Sequence, residues 1–185
     1  LILGTPLAYF LSQLRPRIAN ILLLAVLLPL WTSVLVRTYA WLIILQRNGL
    51  VNQAGMELGI LQEPLALSFN ELGAVIGTMH IMLPYMVLPI YAAMRKIDMN
   101  LVQAAASMGA RPLTAFWSVF LPLAAPGIAA GVLIVFVLCL GFYVVPEILG
   151  GGKVVMLAMQ IASDVQLFYN WGAAGALGVV LMIAT

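Results

Sequence analysis

From Pro112 to Pro146 the chain runs without a single charged side chain. A helix needs about 20 apolar residues to cross a ~30 Å hydrocarbon core, and this run exceeds that. It is continuous rather than alternating, which indicates helices and not a barrel. Composition agrees along the whole length. Hydrophobic residues make up 64% and charged residues 8%, where soluble domains carry roughly 25% charged. The expected fold class is all-α, a polytopic transmembrane helix bundle whose first partner is the lipid bilayer.

Several function classes drop out early. The net charge of +2 is small and scattered, so no nucleic-acid partner is expected. Cys139 is the only cysteine, which rules out an intrachain disulfide. Gly150-Gly151-Gly152-Lys153 invites a phosphate-loop reading, yet Glu147 stands where the first glycine belongs and Val154 where Ser or Thr should bind magnesium. The reading there is an external flexible turn. No cofactor is expected in the chain itself, and no catalysis.

Five apolar segments stand out: 1–14, 19–46, 72–94, 121–146 and 170–185. The first and last open or close inside an apolar stretch, so the expectation is one transmembrane domain over 1–185, truncated at both ends. Charge sets the orientation. Connections one (Arg15, Arg17) and three (Arg95, Lys96, Arg111) hold five basic residues, while two (Arg47) and four (Lys153) hold two. The positive-inside rule places 15–18 and 95–120 in the cytoplasm. Five of the six acids, Glu57, Glu63, Glu71, Glu147 and Asp164, fall on the other side.

Within the spans few residues are polar. Arg37 is the one strongly charged residue deep in a segment, where an arginine costs roughly 2.5–3.5 kcal/mol on insertion scales. Two readings stand: it snorkels outward beside Tyr39 and Trp41, or it faces inward to pair with an acid such as Glu71 or Glu147 or to line a pathway. His80, the only histidine, suits an interhelical hydrogen bond better than a ligand or a proton relay. Pro29, Pro84, Pro89 and Pro126 predict kinks. Gly73-x-x-x-Gly77 and Gly127-x-x-x-Gly131 predict close helix packing. In the second connection Asn48-Gly49 is a turn signal. The helical spacing after it suits a solvated loop or an external docking surface.

The third connection carries helix punctuation of its own. Asn100 is placed to cap, with Gln103 three residues later at capping-box spacing. Ala104-Ala105-Ala106 favour helix. Gly109 suits a left-handed stop, and Pro112 suits the first turn of a new helix. A helix of two to three turns is marginal alone in water, so it needs a packing partner. Phe116, Trp117 and Phe120 follow at helical spacing, suited to one side at the membrane interface.

These residues carry a resemblance. Gln103-Ala104-Ala105-Ala106-Ser107-Met108-Gly109-Ala110, then Phe116, Leu121-Pro122-Leu123 and Pro126-Gly127-Ile128, resembles the EAA loop of ABC-transporter permease subunits. Thr32 to Trp41, Asn48 to Asn52 and Val145 to Gly151 resemble the spermidine/putrescine type. The resemblance implies a type I ABC importer permease in a bacterial inner membrane, with six spans, of which one and part of another lie ahead of Leu1. It implies a translocation path for a small solute such as a polyamine. The implied partners are cytoplasmic ATPase subunits that bind the ATP, a second permease (homologous or identical), and an external solute-binding protein. The short helix would be the coupling helix, with Gln103, Ala104, Ala105 and Gly109 against the ATPase, flanked by Asn100 and Arg111. Gln103 departs from the family, where glutamate is usual, so a salt bridge from that position is not carried over. Two rivals belong to other classes. An ion-coupled secondary transporter would want acids inside the membrane, and the complete spans have none. A structural membrane subunit would assemble a complex without moving solute.

Overall fold

A computed structural model describes residues 1–185. Its elements are all helical: α1 (Gly4–Gln13), α2 (Pro16–Leu27), a 3₁₀ turn (Leu28–Trp31), α3 (Val34–Leu45), α4 (Leu50–Glu57), α5 (Glu71–Met94), α6 (Met99–Ser107), α7 (Pro112–Ala115), a π turn (Phe116–Phe120), α8 (Leu121–Leu140), α9 (Val144–Gly150), α10 (Leu157–Gln166) and α11 (Trp171–Ala184). Glu71–Met94 and Pro112–Leu140 are long and apolar enough to cross a membrane.

Two boundaries differ from the sequence expectation. The segment 19–46 is not one helix. Pro29 has no amide to donate, and the chain tightens into the 3₁₀ turn. Thr32 then donates both N–H (3.1 Å) and Oγ1 (2.8 Å) to the Pro29 carbonyl, and helix resumes only at Val34. The pair counts as at most one broken span. The fourth span also starts earlier and ends sooner than 121–146. Helix runs on from Pro112, through Pro122 and Pro126, and stops at Leu140. Phe142-Tyr143 then separates it from α9.

The chain forms two compact units, Leu1–Leu28 with Met82–Phe136, and Pro29–Ile81 with Val137–Thr185. The first unit has a core of Ala8 and Leu11 from α1, Met86, Val87, Ile90 and Met94 from α5, and Phe120 and Ala124 from the start of α8. Glycines set how closely these helices meet. A Cβ on Gly127 would strike Ala93 and come within 2.9 Å of the Pro89 carbonyl, and one on Gly131 would lie 3.0 Å from the Met86 carbonyl. The predicted small-residue face is therefore the α5–α8 contact, where backbones approach directly.

In the second unit α3 packs along α9, and α10 along α11. Here Asn52 of α4 is wholly buried. Its Nδ2 donates to the Gln46 carbonyl (3.0 Å) and the Leu65 carbonyl (2.9 Å), and its Oδ1 accepts from the Leu65 N–H (2.9 Å). One side chain thus closes a loop of some twenty residues. Gly77 lies against Leu149 and Val145 of α9. The glycine turn after α9 takes φ of +57° at Gly151 and +75° at Gly152. It is packed as well as turned, since a Cβ on Gly151 would lie 2.7 Å from Cβ of Phe69.

Candidate functional site

The third connection is held from both ends by its own groups. Asp98, not Asn100, is the N-cap of α6: its Oδ1 accepts the Asn100 N–H at 2.9 Å. Asn100 is the second helical residue, and the N3 position falls on Leu101, so the Asn100/Gln103 capping box does not form. Both Asp and Asn are strong caps, and here the carboxylate one position before Met99 wins. The far end is a Schellman motif. Gly109 takes φ +90°. Its N–H bonds the Ala106 carbonyl (3.0 Å), and Ala110 N–H bonds that of Ala105 (3.1 Å). Arg95 Nη1 reaches the Ser12 carbonyl at the end of α1, at 3.3 Å.

Beneath α6 lies an aromatic cluster. Tyr9 of α1 meets Phe116 and Phe120 edge-on, each at 5.2 Å, while Phe116 and Phe120 stack at 5.7 Å. Phe120 is buried and Trp117 points out. The three aromatics at 116–120 therefore divide between core and surface, rather than lying together at a membrane interface. They occupy the π turn, in which Leu121 N–H reaches back to the Phe116 carbonyl. A π turn adds one residue to a helix turn and recurs at functional sites. A cleft of about 260 Å³ separates α6 from this turn, lined in part by Tyr9, Met99, Gln103, Ala106 and Phe116. Gln103 faces this cleft instead of a cap amide.

The predicted site residues separate by face. Asn100, Gln103, Ala104, Gly109 and Arg111 are exposed. Ala105 is buried; its methyl packs inward and is not free to touch an outside surface. Sequence reasoning missed Leu101 and Met108, which are 49% and 83% exposed. With the exposed Ala104 they recur at i, i+3 and i+7, which aligns them on one stripe of a helix. The signal was present in that spacing.

In the second unit, Nε and Nη1 of Arg37 and Nδ1 of His80 are buried with no hydrogen-bond partner. Glu71 and Glu147 are exposed, and neither reaches these donors. His80 makes a contact of another kind, an edge-on meeting with Trp41 at 5.5 Å.

Against known proteins, residues 2–185 match the family described as binding-protein-dependent transport system inner membrane component. The chain belongs to that family. Among its relatives, the spermidine/putrescine transport system permease protein PotB of Haemophilus influenzae is 36% identical over 186 residues, covering 100% of this chain and 65% of the relative. PotB of Escherichia coli is 33% identical over 183 residues, covering 99% and 66%. The molybdenum transport system permease protein ModB of Mycobacterium bovis is 30% identical over 183 residues, covering 98% and 67%. The chain thus spans just under two thirds of the length of the PotB proteins it matches. Membership makes it a multi-pass inner-membrane transport component. It agrees with the all-α bundle and with the helices long enough to span.

Proposed function

We propose that the chain is the membrane-spanning permease part of an ATP-driven importer of the ABC class, and that α6 is its coupling helix. One observation carries the reading. A nine-residue helix, capped at both ends from within, presents Leu101 and Ala104 outward, a stripe continued by its C-cap residue Met108, from the connection that charge assigns to the cytoplasm. So short a helix keeps its shape through its caps and the packing below it, and its outer face is left for a partner. The partner is the cytoplasmic ATPase, which binds the ATP. A second permease and an external solute-binding protein complete the importer.

Force from the ATPase enters at α6 and reaches the core through Ala105, Val102 and the Tyr9–Phe116–Phe120 cluster. The π turn lies between that cluster and the span α8. Alternating access then follows from rigid-body gating between two states. Spermidine or putrescine is the solute to test first, as PotB relatives cover almost all of the chain. ModB carries another solute's name at slightly lower identity, so the class is better supported than the solute.

The test is Met108→Arg in the full-length protein, co-expressed with its ATPase. Met108 is 83% exposed, so the fold tolerates the change. Insertion should be unchanged, while ATPase recovery and polyamine uptake fall about tenfold or more, the effect of some 1.4 kcal/mol. Unchanged recovery and uptake would remove α6 from the coupling role.

A further inference from the structure

Asp164 is the one buried acid in the chain, at 8% exposed; every other carboxylate is exposed. It sits in the last turn of α10, where no basic residue accompanies it. Its Oδ1 accepts from Gln160 Nε2, a neutral donor, at 3.0 Å. Its Oδ2 takes no hydrogen bond from the chain and is not enclosed, so it opens to the surface. No lysine, arginine or histidine pairs with the carboxylate. A buried charge is ordinarily paired or bound to a metal. This one also lies at the negative end of a helix, where the carbonyl dipoles disfavour an acid and favour a cation. Two sources of negative field thus meet at one place, and the chain brings nothing positive to it.

The turn after α10 folds back over that end. The Asp164 carbonyl takes the Asn170 N–H at 2.8 Å, and the Ser163 carbonyl takes those of Leu167 (2.8 Å) and Phe168 (3.2 Å). Asn170 Oδ1 then caps α11 by accepting the Ala173 N–H at 3.1 Å. Between these ties Tyr169 is held at φ +50°, a conformation that a bulky residue seldom takes and that is kept mostly where it serves a site. Phe168, Tyr169 and Trp171 are all exposed, on the connection that charge places outside the cytoplasm. A plain aromatic belt at the membrane surface would need neither the strained tyrosine nor the buried acid.

We propose that Asp164 seats one ammonium group of a linear polyamine on the outer side of the permease, with the aromatic turn 168–171 lining the approach. An ammonium only donates, and Oδ2 is the free acceptor. The end of α10 attracts the same charge, and aromatic faces attract the cation as it arrives. A metal ion does not fit, since no group of three His, Cys, Asp or Glu side chains is present to hold one. An anionic solute has the wrong sign. The proposal rests on the importer reading. It adds the residue that would recognise the solute and the sign of charge it selects.

The experiment uses the full-length protein in its assembled importer, purified in detergent, with radiolabelled spermidine as the probe. Asp164→Asn keeps an oxygen for Gln160 Nε2 and removes only the charge. Spermidine retained by the complex should fall about tenfold or more, the size of a lost charge-assisted hydrogen bond. The thermal midpoint and ATPase recovery should hold. Asp164→Glu should restore retention in part. Tyr169→Gly covers the case in which Asp164→Asn fails to fold. It relieves the left-handed strain but removes a ring, so retention should fall severalfold while stability holds or rises. Unchanged retention in Asp164→Asn or in Tyr169→Gly would make the Asp164–Gln160 pair and its turn a structural feature of α10, and overturns the proposal. An unsubstituted importer that retains and takes up no polyamine overturns it too. ATPase recovered with that chain would leave the importer reading standing, and its absence would count against that reading instead.

Discussion

Around α6 each exposed backbone end is met by a neighbour in the chain: Asp98 at the start, the Gly109 motif at the end, and the Ser12 carbonyl for Arg95. At Arg37 the opposite holds. Two guanidinium nitrogens and one imidazole nitrogen are buried with nothing to bind. The first region is exposed and complete. The second is polar, buried and incomplete. A short exposed helix must be self-sufficient to hold a shape that a partner can grip. The two regions thus differ in what they leave open: α6 turns an apolar stripe outward, while Arg37 and His80 keep enclosed nitrogens unmet.

Substitutions can break or sharpen this contrast. The largest effect on the fold should come from the support beneath α6. Phe120→Ala removes a buried ring from the aromatic cluster and should destabilise by about 3–5 kcal/mol, read as a lower thermal midpoint in detergent. If the midpoint holds, the cluster is not the base on which α6 rests. Asn52→Ala strips three hydrogen bonds from the external loop and leaves the Leu65 amide and carbonyl unmet. A cost of roughly 1–3 kcal/mol is expected, with faster proteolysis of 46–66 and no loss of ATPase binding. Asp98→Ala removes the cap and should cost about 1 kcal/mol, seen as faster amide exchange in the first turn of α6. An equal effect from Asn100→Ala would return the cap to Asn100.

Much of this contrast was readable along the chain, and the rest depends on residues that sequence order keeps apart. The bounds of α6 followed from Gly109 and Pro112, because a left-handed stop and a helix start have local signatures. The cap did not, since Asp98 and Asn100 are equally good candidates two positions apart and the backbone path chooses between them. The break after Trp31 hid inside an apolar run, where Pro29 looks like a kink and the Thr32 bonds that turn it into a stop are invisible. The loop-closing role of Asn52 was not readable, as its partner Leu65 lies thirteen residues away with no pattern joining them. Arg37 was conspicuous, but whether it pairs, snorkels or waits depends on atoms from two helices.

The central claim is that α6 is a self-contained docking helix whose outer stripe grips the ATPase. Met108→Arg in the full-length importer tests it most directly, because a residue 83% exposed contributes least to the fold and most to a docking face. The account predicts an unchanged thermal midpoint, with ATPase recovery and solute uptake falling together by about tenfold or more. A variant that keeps its ATPase and transports at the unsubstituted rate would contradict it.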